Sequence, residues 1–414
     1  MIRATAVVFA VLLLYACNPG IQSRLATDKD IVYMPRPARV PGQVSPCSNP
    51  LSYTEHPELL RPKYVRVNLH YMNSTDGRYN MPREETYQYA SEHIRMANDM
   101  LAANQPMQLP LGNNTPVIPI PWRYVITSDP SEPDDKGVYY HVDDELCYAV
   151  KTGRERNISD KRMIQKYAVR SDAVLNIFIQ THHLDSIASP TYKPDASGIS
   201  LGSSVKIFGK WHERPHPWGA RAITNHEIGH SLGLAHTWSG YDGCDDTPPH
   251  SNCWNYTDNP PCDTEVSNNM MDYNNRMDAL TPCQIGKVLL NMTRLNAMQR
   301  NILEPRWCTL DTTANITIQD SVSWNCNADV EGHILIERTG HLVIACRVSM
   351  PEGARIKIEP GGKLTILSTG ILHNACGGQW EGIELVQAKK LTGSVMVEEG
   401  GKIENAVSLS NTKS

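Results

Sequence analysis

Residues 226–236 read His226-Glu227-Ile228-Gly229-His230-Ser231-Leu232-Gly233-Leu234-Ala235-His236. On a helix, side chains four positions apart lie on one face, so His226 and His230 can present their imidazoles to one metal ion. Gly233 allows a sharp or left-handed turn that ends the helix and brings His236 round as a third ligand. Three protein nitrogens leave one tetrahedral position open, which is typical of a catalytic zinc site.

Glu227 directly follows the first of these histidines, so its carboxylate can reach a water molecule that the metal activates. The pattern therefore predicts zinc-assisted hydrolysis in which Glu227 is the general base and passes the proton to the leaving group. A chance match on a buried helix with satisfied histidines and an inactive descendant are the alternatives. The intact set of ligands and base favours an active site.

The sequence on both sides of this motif predicts an α/β or α+β domain over residues 61–305. Strands and a helix are predicted from alternation, helical spacing and apolar runs: strands at Lys63 to Met72, Trp122 to Thr127, Ala173 to Ile179 and Ile199 to Phe208, and a helix at Glu84 to Ala103. Residues 105–170 are otherwise mixed and carry no clear period.

After residue 305 the helical spacing disappears and short β-branched segments recur between glycine turns. Similar stretches begin at Gly340, Gly361 and Gly400. Repetition of this kind predicts an all-β domain over residues 306–414 that resembles a short parallel β-solenoid. A β-sandwich is the alternative.

The first seventeen residues combine Arg3 with a short apolar core that ends in Leu14-Tyr15-Ala16-Cys17. This predicts a secretory signal that resembles a bacterial lipoprotein signal, with Cys17 lipidated and the mature chain exported to the outer surface or medium. Ordinary signal cleavage with loss of Cys17 is the alternative. Residues 18–60 have no periodicity and are interpreted as a linker or pro-region.

Charge and cysteine content limit the class of protein. The net charge of −5 and the lack of a basic run argue against nucleic-acid binding. Ten cysteines remain besides Cys17, an even number that predicts disulfides in an exported chain. A cysteine switch, in which Cys47 masks the zinc in a latent form, is a further hypothesis.

Downstream of the zinc motif, the chain contains Asn268-Asn269-Met270-Met271-Asp272-Tyr273, together with His236-Thr237-Trp238 and Asp246-Thr247-Pro248. These motifs resemble the pappalysin (cytophagalysin-like) family of metzincin zinc metallopeptidases. The resemblance implies a metzincin catalytic domain whose N-terminal subdomain holds a twisted mixed sheet. It implies Met271 as the methionine beneath the histidines, with Met270 as the competing choice. It also implies Tyr273 as a phenol that hydrogen-bonds the tetrahedral intermediate, unless Tyr273 is only a packed turn residue.

The resemblance carries further expectations and some departures. Trp238 replaces the family's phenylalanine, and no cysteine directly follows Tyr273, where the family often has one. The family's usual disulfide across the site is therefore not implied here, and Cys244 to Cys283 with Cys253 to Cys262 is the pairing hypothesis. Family members often bind structural calcium near this loop, and the matching oxygen donors here are Asp242, Asp245, Asp246 and Thr247. A solvated acidic loop is the alternative. The substrate is expected to add to the edge strand at Ile199 to Phe208.

Three functions follow as hypotheses. The first is an exported zinc metalloendopeptidase whose partner is a peptide or protein substrate and which a lipidated Cys17 would attach to a membrane; the sequence indicates no oligomeric state. The second is a cell-surface protein whose β domain binds a glycan or matrix ligand, and the third is a zinc hydrolase for another substrate class. Other histidines and tryptophans are expected on the surface or in the core, although the tryptophans could line a cleft: His182, His183, His212, His216, His250, Trp211 and Trp218.

Overall fold

A computed structural model describes residues 21–36, 45–150, 153–192, 197–208 and 216–409. The predicted signal segment with Cys17 lies outside the described residues, as do His212 and Trp211. Among the described residues, no helix combines the length and the apolar character needed to cross a bilayer.

The helices are α1 Thr86–Ala102, α2 Gly153–Tyr167, α3 Leu184–Ile187, α4 Arg221–Ser231, α5 Pro282–Thr293 and α6 Met298–Asn301. The strands are β1 Ile21–Leu25, β2 Ile31–Met34, β3 Lys63–Asn73, β4 Trp122–Ile126, β5 Val138–Val142, β6 Leu175–Gln180, β7 Ser197–Ser200, β8 Ser204–Phe208, β9 Ile316–Ile318, β10 Ser321–Trp324, β11 Ala328–Asp329, β12 Ile334–Ile336, β13 His341–Ile344, β14 Arg347–Ser349, β15 Arg355–Ile358, β16 Lys363–Ile366, β17 Ile371–His373, β18 Gly382–Ala388, β19 Leu391–Thr392, β20 Ser394–Glu398 and β21 Lys402–Ile403.

A mixed sheet in the order β4-β3-β6-β8-β7, with β5 also paired to β3, forms the framework of the first part of the chain. Its neighbouring strands are parallel except for the antiparallel pair β7 and β8. The strand predicted at Lys63 to Met72 is confirmed as β3, and Val65, Val67 and Leu69 on it are fully buried. A mixed α/β architecture is therefore present, as the sequence predicted.

Helix α1 confirms the amphipathic helix predicted from Glu84 to Ala103. Ala90, Ile94, Ala97 and Leu101 are buried at the predicted helical spacing. Tyr87, which shares that spacing, is exposed in the first turn of the helix. The buried face packs beside α4, where the Asn225 side chain donates a hydrogen bond of 3.1 Å to the carbonyl of Ala97.

The single strand predicted at Ile199 to Phe208 is instead a hairpin of β7 and β8. Gly202 adopts a φ of +77° in the turn, a conformation that glycine reaches without a steric penalty. The hairpin places β7 at the edge of the sheet, next to α4, where the Ser200 and Ser231 hydroxyls are 2.8 Å apart. The edge strand is thus only four residues long.

Two elements within residues 105–170 were not predicted. Strand β5 and helix α2 both lie in this stretch, and α2 is largely polar, with sequence GRERNISDKRMIQKY. Met163 is fully buried and anchors α2 to a small cluster with Met72 and Phe178. Because so few apolar residues mark its inner face, helical periodicity gives almost no signal here.

In residues 316–403, successive strands belong in turn to three different sheets. We call this part of the chain the C-terminal coil. The sheets have the orders β9-β12-β15-β18, β10-β13-β16-β20 and β11-β14-β17-β21, and these neighbours are parallel. In the first sheet, Ile334 pairs with Ile316 on one side and Ile356 on the other, and all three are buried. This parallel pairing differs from that of a sandwich, whose strands pair antiparallel.

Residues 21–34 extend the C-terminal coil, although the sequence suggested a linker or pro-region over 18–60. Strand β1 pairs antiparallel with β18, and β2 pairs parallel with β20. Ala26 and Ile31 are buried among the apolar residues of the coil. Most other side chains of these strands are exposed, so the stretch lacks the alternation that identifies a strand.

Buried charges join the first part of the chain to the C-terminal coil. The Asp329 carboxylate, almost fully buried, accepts hydrogen bonds from Arg300 of α6 and, at 2.8 Å, from Arg347 of the coil. Arg347 also donates at 2.8 Å to the carbonyl of Thr293, the last residue of α5. These two arginines lower the pKa of Asp329 to about 2, although burial acts to raise it.

Four disulfides join cysteines of the described residues: Cys47–Cys346, Cys244–Cys283, Cys253–Cys262 and Cys308–Cys376. The two pairs hypothesised from the sequence, Cys244–Cys283 and Cys253–Cys262, are confirmed. Cys47 is bonded to the C-terminal coil, so the hypothesis that it masks the metal site is wrong for this structure. Cys147 and Cys326 are buried free thiols, which leaves eight of the ten cysteines paired.

Candidate metal centre

Helix α4 carries His226 and His230, and the turn after it leads to His236. His226 and His230 project from the same face of the helix, which ends at Ser231. Gly233 then has a φ of +100°, and a Cβ built there would lie 2.2 Å from the Asn291 side-chain nitrogen. Only glycine fits both the backbone conformation and this close approach, so the turn that returns His236 to the helix depends on it.

The three imidazoles converge on a common point. Their Nε2 atoms are separated by 3.1 Å (His226 to His230), 3.2 Å (His230 to His236) and 3.3 Å (His226 to His236). Nitrogens bound to one zinc at about 2.0–2.1 Å in a tetrahedral site are about 3.3 Å apart. The spacing of the three nitrogens therefore fits a zinc ion.

Hydrogen bonds fix the orientation of two of the rings. The Nδ1–H of His226 donates to the carbonyl of Met270 at 2.8 Å, and that of His230 donates to the carbonyl of Leu234 at 2.9 Å. Because carbonyl oxygens only accept, each Nε2 of a neutral ring carries a lone pair. These lone pairs face one another, an arrangement that suits a cation between them.

Burial keeps these rings neutral. It is the main cause that lowers the pKa of His226 to about 3, and the neighbouring His230 adds to the effect. Burial also lowers the pKa of His230 and of His236. Neutral imidazole is the form that binds metal ions.

Glu227 lies on the side of helix α4 that faces strand β7. Burial raises the pKa of its carboxyl to about 7, while a hydrogen bond from the backbone of Ser200 acts in the opposite direction. A Cβ built at Gly198 would lie 2.4 Å from Cγ of Glu227 and 2.7 Å from its Oε1. The Glu227 carboxyl therefore occupies the space that the absence of a side chain at Gly198 provides.

The side chain of Met271 packs against helix α4 at Gly229. Its side chain is fully buried, and its Sδ lies 2.6 Å from the position of a Cβ at Gly229, between His226 and His230 on the helix. Met270, the competing choice, contributes its carbonyl to His226 instead. The backbone N–H of Met271 donates at 2.8 Å to Oδ1 of Asn269, which fixes the turn.

Tyr273 stands at the open side of the centre. Its ring centroid is 4.8 Å from that of His236 and 5.8 Å from that of His226, and the residue is 45% exposed. Burial and then the nearby Glu227 raise the pKa of its phenol, so it remains protonated and can donate a hydrogen bond. Trp238 stacks on His236 at 5.5 Å between centroids.

Asp272 connects the turn after helix α4, through Thr237, to the turn that contains Met271. The sequence did not predict this role. Its buried carboxylate accepts hydrogen bonds from the Thr237 backbone at 3.0 Å, the Ser267 hydroxyl at 2.6 Å and His250 at 3.0 Å. Burial acts to lower the pKa of His250, but the hydrogen bond to Asp272 raises it overall. The only sequence signal was the position of Asp272 between Met271 and Tyr273.

In the loop expected to bind calcium, carboxylate oxygens accept hydrogen bonds from other groups of the protein. Oδ1 of Asp242 accepts from the Cys244 backbone at 3.0 Å and from the Thr247 hydroxyl at 2.9 Å. Asp246 accepts from the Thr281 hydroxyl and the Cys283 backbone. In the described chain, Asp242, Asp245 and Asp246 do not bring three carboxylate oxygens within 4.8 Å of one another.

The remaining residues considered from the sequence are scattered. His182 is buried and its Nδ1 is 2.7 Å from the Tyr192 hydroxyl, whereas His183 and His216 are exposed. Trp218, for which core packing was the default expectation, is 54% exposed. The structure brings none of these three histidines into a metal-binding group among the described residues.

Comparisons with known proteins give little beyond this geometry. No protein-family model matches the chain, and no curated protein matches it significantly in sequence. Among solved structures, the mature mirolysin of Tannerella forsythia with a cleaved peptide is similar, with 17% identity and a TM-score of 0.41, over 58% of this chain and 94% of that one. Mirolysin with compound 9 gives 17% and 0.42, over 58% and 96%. A promirolysin mutant gives 16% and 0.42, over 58% and 84%. At these values the likeness supports no conclusion about activity, and the function is argued below from the site.

Proposed function

We propose that this chain is a zinc-dependent metalloendopeptidase that hydrolyses peptide bonds. One observation carries the proposal: three imidazole nitrogens lie 3.1–3.3 Å apart, and the buried Glu227 directly follows the first of these histidines. Three nitrogen ligands leave room for a water or substrate at the metal, whereas in structural zinc sites four protein ligands fill the coordination shell.

The residues around the centre have distinct roles. His226, His230 and His236 hold the zinc ion, which supplies Lewis-acid chemistry when bound. Glu227 accepts a proton from the attacking water and passes it to the leaving amine, since its carboxyl lies in a buried site that favours holding a proton. Tyr273 donates a hydrogen bond from its phenol to the oxyanion that forms at the carbonyl carbon.

Strand β7 supports the choice of a peptide as substrate. It is the edge of the sheet, and its Gly198 touches Glu227. An extended peptide that pairs with this edge places its backbone beside the general base. Because backbone pairing is independent of side chains, the strand serves polypeptides in general and leaves sequence preference to the pockets nearby.

The proposal is tested with Glu227→Gln, which keeps the shape of the side chain and removes the base. The protein is incubated with a diverse peptide library, and cleavage sites are mapped by mass spectrometry with and without a zinc chelator. Glu399→Gln, an exposed position in the C-terminal coil, is the matched control. We expect wild type and Glu399→Gln to cleave, and Glu227→Gln to lose about a hundredfold or more in rate with its zinc retained.

Three results would contradict the proposal. Undiminished cleavage by Glu227→Gln would show that Glu227 is not the general base. A wild-type protein that binds zinc but cleaves no peptide favours the alternative of a zinc hydrolase for another substrate class. Binding of a glycan or matrix ligand with no hydrolysis at all favours the cell-surface binding alternative.

We also propose that the mature chain is exported. The four disulfides support this, because such bonds persist in oxidising compartments outside the cytoplasm. Lipidation of Cys17 is part of the same proposal and rests on the sequence of the signal segment alone. Mass spectrometry of the N-terminal peptide from the native source tests it, and an unmodified cysteine or a later N-terminus refutes lipidation.

A further inference from the structure

A cavity of about 620 Å³ lies between α1, the start of α4 and the loop after Tyr273. We name it the α1–α4 pocket. Its wall includes apolar, aromatic and charged side chains, among them Met96, Met100, Trp218, Arg221, Asn275 and Arg276. Nothing in the proposed chemistry of the metal centre uses these residues.

The α1–α4 pocket is close to the metal centre along two chain paths. Arg221 begins α4 five residues before His226, a rise of about 7.5 Å along the helix. Asn275 follows Tyr273 by two residues, at most about 7 Å of chain. A substrate residue in extended conformation advances about 3.3 Å along the strand, so a side chain within about three positions of the scissile bond can reach the pocket.

Most charges in the pocket already have partners. Nη1 of Arg95 is 2.6 Å from Oδ2 of Asp99, and Nε of Arg276 is 3.1 Å from Oδ2 of Asp278. The other oxygen of Asp278 accepts a hydrogen bond from Asn268 at 2.9 Å. These groups neutralise one another and leave little capacity for a ligand.

Arg221 differs from the other arginines of the pocket. No carboxylate of the described residues lies within 4.0 Å of it, and its one hydrogen bond is a long one of 3.5 Å to the carbonyl of Trp218. Its guanidinium carbon sits 3.7 Å above the Trp218 ring, which holds the group in a fixed plane. A guanidinium carries five N–H donors in a fork that matches a carboxylate, so Arg221 retains donors for a ligand.

We propose that the α1–α4 pocket is a substrate subsite in which Arg221, held on the exposed ring of Trp218, binds an acidic side chain of a peptide near its scissile bond. The inference rests on the proposed peptidase function and names the class of residue that the enzyme prefers. Met96 and Met100 contact the aliphatic part of that side chain, which favours glutamate over a bare anion.

Binding is measured in a protein that cannot turn over, so the test does not depend on catalysis. Zinc-loaded Glu227→Gln is titrated with decapeptides in which a single glutamate is moved through the positions, each paired with its glutamine counterpart. We expect glutamate at one or two positions to tighten Kd by about tenfold to a hundredfold. Adding Arg221→Gln should abolish this preference.

The matched control is Arg306→Gln. Arg306 also stacks on an aromatic ring, 4.0 Å from the centroid of Tyr64, but it does not line the pocket. We expect the preference for glutamate to persist in this variant. Equal Kd values for glutamate and glutamine peptides, or a preference that survives Arg221→Gln, would overturn the inference.

Cleavage by the wild-type protein separates this inference from the proposed function. If the wild type cleaves peptides, and neither cleavage nor binding prefers acidic residues, the peptidase proposal stands and the subsite is refuted. If acidic peptides bind through Arg221 and none is cleaved, the pocket stands and the peptidase proposal falls.

Discussion

Replacing Gly198 by alanine tests whether the position of the Glu227 carboxyl governs turnover. The new Cβ would lie 2.4 Å from Cγ of Glu227, whereas an ordinary contact is at least 3.4 Å. The glutamate must therefore retreat by about 1 Å, and a misplacement of this size costs about a hundredfold in rate. The three atoms nearest to this Cβ all belong to Glu227, so we expect zinc binding to be unchanged.

The assay compares kcat/KM on a peptide found to be cleaved, together with zinc content and thermal stability. We expect Gly198→Ala to lose about a hundredfold in kcat while it retains zinc. Gly202→Ala in the same hairpin is the control: a Cβ there meets no atom within 4 Å, but its φ of +77° is strained for alanine. That variant should lose about 1 kcal/mol of stability and keep its kcat.

The result that refutes this reasoning is a zinc-loaded Gly198→Ala protein with wild-type kcat/KM. It would mean that Glu227 has room to act from another position, or that it is not the base. If Gly202→Ala lost as much activity as Gly198→Ala, the stability of the hairpin and not the glutamate would explain both.

Two further predictions concern stability. Asp329→Asn leaves Arg300 and Arg347 buried without their carboxylate, so the free energy of unfolding should fall by about 3–5 kcal/mol in chemical denaturation, and a loss below 1 kcal/mol would show that the contact is not stabilising. Burial, followed by repulsion from His141, lowers the pKa of His70 to about 3. Since the unfolded state takes up the proton below about pH 6.5, the contribution of His70 to the free energy of unfolding should be complete above that pH and decrease by about 1.4 kcal/mol per pH unit toward pH 3. The pH slope should shrink in His70→Gln, and an unchanged slope would assign it to other groups.

The convergence of the three histidines could be predicted from the sequence because its information is local. The spacing of His226 and His230 depends only on the helical repeat, and the return of His236 depends on the conformational freedom of Gly233. Strand β3 and helix α1 were predicted for the same reason, since alternation and helical spacing are visible within about ten residues. Their burial in the structure matches these periods.

The contacts that could not be predicted join residues far apart in the sequence. Strands β1 and β2 pair with strands more than 350 residues later, and Asp329 meets Arg300 across the boundary with the C-terminal coil. Such long-range contacts cannot be predicted from local sequence patterns.

The return of residues 21–34 to the C-terminal coil has a practical consequence for experiments on fragments. A single cut between residues 49 and 62 would not release the N-terminal piece, since β1, β2 and the Cys47–Cys346 bond would all still retain it. An isolated fragment of residues 306–414 would uncover the edges of β18 and β20, and uncovered parallel strands recruit other chains. Ligand screens on that fragment would then report self-association, so they are better done on the intact chain.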